Sequence, residues 1–176
     1  MKSKLFIKSI FAVFFLFLTS AQASAQWYTS QDSDEMTGES SSYAHSQSVT
    51  ATESMEFPYN GTEAWLGVGC DGQSEWVYVG FSQQPNLINT TTFDGYDNIR
   101  TRIKFDDKVQ NVTLSQDWGS KFLQFNDDSE IIPKLARSST VLLELDWHGE
   151  SSTYFKFSLN GSADAIANIR RQCSKY

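Results

Sequence analysis

Residues 62–81, TEAWLGVGCDGQSEWVYVGF, predict a β-hairpin, and this hairpin sets the class of the fold. Asp71 and Gly72 form the turn, because both residue types tolerate the positive φ that a tight hairpin turn requires. The second arm, residues 74–81, is rich in β-branched and aromatic residues. In the first arm every second residue is apolar and belongs to one face of a strand: Ala64, Leu66, Val68 and Cys70.

The hairpin carries large aromatic side chains on the face opposite these apolar residues. Trp65 lies opposite the Leu66 side, and Trp76 and Tyr78 alternate with the small apolar residues of the second arm. Either both faces are covered by other parts of the protein, or one aromatic face is exposed. We expect core packing, since aromatic residues usually fill the interior of a sandwich. The alternative is a binding surface flanked by acids, with Trp76 and Tyr78 as its candidate residues.

The clearest single strand is IRTRIKF, residues 99–105. Ile99, Thr101, Ile103 and Phe105 alternate with Arg100, Arg102 and Lys104, so that an apolar face and a basic face are expected. This is the only basic stripe on a predicted strand. Arg102 is therefore the third candidate binding residue, expected either to pair with carboxylates across the sheet or to meet a partner. The alternative is three solvated bases on an outer face.

Strands are also expected in VQNVTLS, KFLQF, TVLLELDW and STYFKFSLN. Turns recur every ten or so residues, and seven or eight short strands with this spacing predict an antiparallel β-sandwich. The polar residues 26–56 are expected to hold one strand at most, within 43–53, preceded by loop. Residues 83–98 are expected to form a long polar connection, and residues 127–137 a short helix interrupted by Pro133.

The chain ends in a predicted helix over residues 162–173. Ile166, Ile169 and Cys173 recur at helical spacing and share one face. That face should lie against the sheet that carries Cys70. A disulfide between Cys70 and Cys173 is expected, because the protein has two cysteines and is predicted to be exported. A reactive thiol pair is the alternative, but neither C-x-x-C spacing nor a basic neighbour of Cys70 favours it.

The first 25 residues have the pattern of a secretory leader. A basic start with Lys2, Lys4 and Lys8 is followed by a short apolar run and a small-residue ending, so cleavage after Ala25 is predicted. The apolar run is shorter than the approximately 20 residues that span a bilayer. We therefore expect one domain, residues 26–176, that is periplasmic or secreted and has no membrane span.

The charge of the chain restricts the kinds of partner. The formal net charge is −7, and three of the 14 basic residues precede the predicted cleavage site, whereas all 21 acidic residues follow it. A chain this acidic is a poor match for nucleic acid or anionic lipid. A basic partner fits the charge, although acidity also serves solubility in an exported protein.

The sequence offers few groups for catalysis. His45 lies in a serine-rich stretch, His148 in an expected hairpin turn, and no G-x-S-x-G motif is present. No histidine or cysteine spacing is typical of a metal site, and no acidic cluster follows the twelve-residue calcium-loop pattern. Calcium binding by an acidic loop stays open. We expect no catalytic residue, no metal and no cofactor.

Several short motifs in order resemble one known family. Trp27 precedes DEMTG at 34–38, a strand ends in Cys70, VYVGF and RIKFDDK follow, and FSLNGSADAIANIRRQC closes the chain. This order resembles the periplasmic accessory proteins associated with type VI secretion, of the VasI or TagO type, and their uncharacterised relatives. The resemblance covers nearly the whole chain after the leader. It implies an exported, non-catalytic domain with the Cys70–Cys173 bond, and it places Arg102 at the family's arginine position.

Two functions from different classes follow from the sequence. The first is a non-catalytic periplasmic interaction or accessory protein, linked to a type VI secretion or envelope system, whose partner is an envelope or secretion component. The second is an acidic periplasmic inhibitor or ligand-binding module for a basic partner such as a lysozyme-like enzyme. A hydrolase ranks third, because no pair of carboxylates is singled out for glycoside hydrolysis.

Overall fold

The computed structural model describes residues 27–173 and shows a protein built mainly from antiparallel β-strands, as predicted. The predicted leader, residues 1–25, lies outside the described residues. Eleven strands are present in this part of the chain, compared with the seven or eight expected. The strands are β1 (Trp27–Ser33), β2 (Ser40–Ser46), β3 (Val49–Thr50), β4 (Glu63–Cys70), β5 (Glu75–Phe81), β6 (Thr90–Phe93), β7 (Tyr96–Phe105), β8 (Lys108–Asp117), β9 (Phe122–Phe125), β10 (Thr140–Asp146) and β11 (Ser152–Ser158). The helices are α1 (Asp128–Leu135) and α2 (Ser162–Cys173).

All eleven strands belong to one antiparallel sheet. Its order is β1-β2-β4-β5-β9-β8-β7-β10-β11, with β3 paired to β4 and β6 paired to β7. The predicted hairpin is β4–β5, in which Leu66 lies opposite Val79 and Cys70 opposite Glu75. The sheet folds back on itself, because Ala51, directly after β3, forms a bridge with Phe155 of β11. Its two halves therefore face each other across one core, as in a sandwich.

The core is made by the inward residues of the alternating strands. Ile99, Ile103 and Phe105 of β7 are buried, as the sequence pattern predicts, and Thr101 on the same side is half-buried. The largest fully buried rings are those of Phe81, Trp147, Phe155 and Phe157. Phe81 contacts Phe155 edge-on with ring centroids 5.6 Å apart, a geometry that aromatic pairs favour. The core thus joins the central strand β5 to β11, the last strand in the sheet order.

The prediction of a loop before residue 43 is wrong, because β1 and the first three residues of β2 lie in this polar stretch. The buried residues of β2 are small, Ser42, Ala44 and Ser46, so no apolar alternation marks the strand. Helix α2 packs on this part of the sheet and leaves room only for small side chains. The hydroxyl of Ser46 accepts a hydrogen bond from the backbone N–H of Leu66 at 2.9 Å, which gives the buried oxygen a partner.

The expected long connection at 83–98 also contains strand structure. β6 runs from Thr90 to Phe93 and pairs with the start of β7 across a tight turn at Asp94 and Gly95. Both turn residues have positive φ, 52° and 85°, a conformation for which Asp and Gly are suited. The expected interruption at Pro133 is likewise not observed, since α1 continues through it to Leu135.

Helix α2 lies over the inner side of β1, β2 and β4, as its apolar face predicts. Ile166, Ile169 and Cys173 are buried against the sheet. Cys173 is bonded to Cys70 with the two Cα atoms 6.2 Å apart, which confirms the predicted disulfide. Within residues 27–173 neither helix has the length and apolarity that crossing a membrane would need.

Candidate functional site

The outer face of the β4–β5 hairpin carries three aromatic rings that lie on three glycines. Trp65 is paired with Gly80, Tyr78 with Gly67 and Trp76 with Gly69. A Cβ atom added at any of these glycines would come within 3.0 Å of the ring opposite it. Each ring therefore lies directly against the neighbouring strand, in space that only glycine leaves open.

Rings from three further strands extend this row into a continuous surface. We call it the aromatic surface and define it by Tyr28 (β1), Tyr43 and His45 (β2), Trp65 (β4), Trp76 and Tyr78 (β5) and Phe122 (β9). Its members contact one another: Tyr43 stacks on His45 at 5.9 Å between ring centroids, and Phe122 contacts Tyr78 edge-on at 5.6 Å. Rings packed in this way lose little further freedom when a partner binds.

The expectation that these aromatic residues pack in the core is wrong for Trp65 and Trp76. Both are half-buried on the outer face and are not part of the hydrophobic core. Tyr78 retains 8% of its surface because its neighbours on the aromatic surface cover it. The rim is more open, with Tyr28 exposed to 55%. The inner face is filled by the small apolar residues of the hairpin and by α2, and no described element covers the outer face.

A shallow depression of about 430 Å³ lies in the aromatic surface. Its walls are aromatic, and two carboxylates, Asp32 and Asp117, lie among its lining residues. Neither carboxylate forms an ion pair or a side-chain hydrogen bond within the described part of the chain. Next to Asp117 stands Trp118, whose side chain is 93% exposed in the turn before β9. Apolar surface and unpaired negative charge thus occur side by side.

Basic residues are missing from the strands that build this surface. β1, β2, β4, β5 and β9 contain no lysine or arginine. The five basic residues found in strands are Arg100, Arg102, Lys104, Lys108 and Lys156, and they lie on β7, β8 and β11. The outer face of the sheet is therefore divided by charge.

His45 and Tyr78 form the only side-chain hydrogen bond within the aromatic surface, 2.6 Å between Nε2 and the phenolic oxygen. Burial lowers the pKa of His45, because the charged imidazolium loses solvation there. Its Nδ1 is buried and has no hydrogen-bond partner among residues 27–173. Burial, together with the neighbouring Tyr43 and Tyr28, raises the pKa of Tyr78 well above the ordinary value. Both groups are therefore neutral near pH 7.

Arg102, the third predicted site residue, lies apart from Trp76 and Tyr78. Strands β9 and β8 separate β5 from β7 in the sheet. Arg102 donates to both carboxylate oxygens of Glu144 of β10 from its Nε and Nη2 atoms, at 2.5 and 2.6 Å, and Tyr154 donates to the same carboxylate at 3.2 Å. The hydrogen bond from Arg102 lowers the pKa of Glu144. The structure thus shows the first of the two expected roles, pairing across the sheet.

The remaining candidate groups do not assemble into a catalytic arrangement within the described chain. His148 is exposed in the turn between β10 and β11, and its backbone N–H donates to the carbonyl of Asn86 at 2.9 Å. No three His, Cys, Asp or Glu side chains among residues 27–173 are close enough to hold a metal ion. The larger cavity, of about 660 Å³, lies beside Arg102 and is lined by groups of both charges.

Sequence reasoning found Trp76 and Tyr78 but missed Tyr28, Tyr43, His45 and Phe122. The hairpin sequence could have predicted part of the surface, because pairing its two arms in register places every outer ring opposite a glycine. Tyr43, His45 and Phe122 lie on strands that pair with the hairpin only through long-range contacts, and Tyr28 lies on β1, which pairs with β2. No local pattern in the sequence brings them together.

Comparisons with known protein families, with curated proteins and with solved structures find no match for this chain. The resemblance to type VI secretion accessory proteins therefore stays a prediction.

Proposed function

We propose that this protein is a non-catalytic, exported binding protein that holds a partner protein on its aromatic surface. The partner would be an envelope or secretion component, as the predicted leader and the resemblance imply. The acidic inhibitor of a basic enzyme, the second function considered, would use the same surface.

The rings that lie on glycines support this proposal most directly. Trp65 and Trp76 are outside the core, yet each is held flat against a neighbouring strand. Exposed aromatic residues held in one position are typical of interface centres, because they bury large areas at little cost in side-chain entropy. Trp118, almost fully exposed beside the depression, enlarges the apolar surface that a partner would cover.

The chemistry of the depression favours binding over catalysis. Its one imidazole, that of His45, is bonded to Tyr78, and the raised pKa of Tyr78 disfavours the phenolate that a nucleophile would require. The neutral state of both groups suits a surface that contacts another protein. Absence of turnover on peptidoglycan, peptide and ester substrates is the expected result for the purified protein.

Site-specific photocrosslinking in the periplasm tests the proposed surface. A benzophenone amino acid is placed at Tyr28, on the aromatic surface, and in a matched control at Val109, which is 60% exposed on β8. We expect one discrete adduct from position 28 that disappears when Trp76→Ala is added, and none from position 109. Equal labelling from both positions, or no adduct from position 28, would contradict the proposal.

A further inference from the structure

We infer that the aromatic surface receives a cationic segment of its partner, with lysine or arginine side chains placed over the rings and beside Asp32 and Asp117. The inference rests on the proposed function and specifies the chemistry of the partner. Three features of the described residues lead to it.

The first feature is unpaired negative charge. Two partly buried strand carboxylates elsewhere in the fold have cationic partners: Glu144 binds Arg102, and Glu75 binds Arg170 at 2.6 Å. Asp32 and Asp117 line the depression without such a partner. Bringing an apolar or anionic partner over them would remove water from two carboxylates without compensation, which is costly. A cation replaces that water with an ion pair.

The second feature is the orientation of the rings. The indole of Trp76 lies against Gly69 and stays partly exposed, and Tyr43 forms a T-shaped pair with it at 6.0 Å between ring centroids. The face of an aromatic ring carries negative partial charge and attracts ammonium and guanidinium groups, most strongly in tryptophan. The surface thus offers ring faces and carboxylates in the same depression.

The third feature is the lack of competing positive charge. The five strands that build the surface have no lysine or arginine. The groups that face His45 are Tyr28 from β1, Tyr43 from its own strand and Tyr78 from β5, and none of them is a cation. His45 itself is neutral near pH 7, because burial lowers its pKa. The residues that line the depression therefore include no lysine or arginine to oppose an incoming cation.

Binding of short peptides to purified residues 26–176, with the disulfide intact, tests the inference. The probes are hexa-arginine, hexa-glutamate and chitohexaose, a neutral glycan that could also stack on aromatic rings. Affinity is measured by calorimetry at low and at moderate salt. We expect hexa-arginine alone to bind. Binding of hexa-glutamate, or of chitohexaose in place of hexa-arginine, would overturn the inference.

Variants separate a specific site from general attraction to an acidic protein. Trp76→Ala should weaken hexa-arginine binding by about 10-fold, the scale of a well-formed cation–π contact. The pair Asp32→Asn and Asp117→Asn should weaken it several-fold, whereas Asp107→Asn, which removes an exposed charge in the β7–β8 turn, should leave it unchanged. Asp32 and Asp117 are exposed, so replacing them should not disturb the fold. These variants therefore still test the inference if the Trp76→Ala protein misfolds. Equal effects of the Asp32/Asp117 pair and Asp107→Asn would overturn the inference.

The outcome also distinguishes this inference from the proposed function. Crosslinking from position 28 together with no binding of hexa-arginine would leave the binding role intact and reject the cationic partner. Failure of the crosslink would reject the binding role itself.

Discussion

The outer faces of the two halves of the sheet differ in their side chains and in how their charges are paired. In the aromatic half, β1, β2, β4, β5 and β9, rings lie on glycines, and the two carboxylates of the depression, Asp32 of β1 and Asp117 at the end of β8, are unpaired. In the basic half, β7, β8, β10 and β11, the charges of Arg102 and Glu144 meet across neighbouring strands. The comparison indicates that Arg102 and Glu144 of the basic half pair with each other, whereas the two carboxylates of the depression are available to a partner.

The largest effect is expected from the disulfide that holds α2 beneath the aromatic half. Cys70 and Cys173 are 103 residues apart, and in the chain-entropy model a closed loop of this length stabilises the fold by about 4–5 kcal/mol. Cys70→Ala with Cys173→Ala should reduce the free energy of unfolding by up to that amount in urea titrations. Ellman titration of the denatured wild-type protein should find no free thiol. Two thiols in protein isolated from the periplasm would contradict the expected bond.

The next effect concerns the close contact between a ring and a glycine. Gly67→Ala places a methyl group within 3.0 Å of the Tyr78 ring and should force that ring to move. We expect a loss of about 1–3 kcal/mol, the usual cost of overpacking, measured by denaturant unfolding.

A double-mutant cycle provides the control for this clash. Tyr78→Ala removes the ring, so Gly67→Ala should cost much less in that background than in the wild type. The same cost in both backgrounds would show that the glycine is required for its backbone, not for the ring.

A smaller effect is expected in the basic half. Arg102→Ala removes the partner of Glu144, whose side chain retains 13% of its exposure, whereas Lys104 has no ion-pair partner in the described chain. Arg102→Ala should lower the Tm by roughly 1–3 °C, since exposed ion pairs contribute little, and Lys104→Ala should leave it nearly unchanged. Neither variant should alter binding at the aromatic surface. If both variants change the Tm equally and by almost nothing, Arg100, Arg102 and Lys104 are solvated basic residues with no structural role.

The smallest effect concerns the pH dependence of stability. The pKa of His45 is lower in the folded protein than in the unfolded chain, where it is about 6.5. The unfolded state therefore takes up a proton first, and wild-type stability should fall as the pH drops through that value. His45→Gln should show a weaker fall between about pH 7.5 and pH 5.5 in urea titrations, because it lacks this proton uptake. Parallel curves for the two proteins would show that His45 does not titrate differently on folding.

The sequence alone was enough to predict the elements whose pattern lies within a short stretch of the chain. The β4–β5 hairpin follows from its alternation and from the Asp71-Gly72 signal, although the turn spans residues 71–74 and only Gly72 of the two has positive φ. The basic and apolar faces of β7 follow from strict period-two alternation. The apolar face of α2 and the presence of only two cysteines led to the disulfide. For the hairpin, β7 and α2, residues close together in the sequence carry the pattern, whereas the disulfide follows from the count of two cysteines in a chain predicted to be exported.

Only the tertiary structure decided those features that depend on contacts between residues far apart in the sequence. The buried residues of β2 are small, and β1 and β2 are strands because they pair with each other, β4 pairs with β2, and α2 covers them. Whether Trp76 lies in a core or on a surface depended on which side α2 packed, and the pairing of Arg102 depended on β10, some 40 residues further along the chain. Period-two alternation assigns residues to two faces of a strand, but only the packing of other elements decides which face is covered.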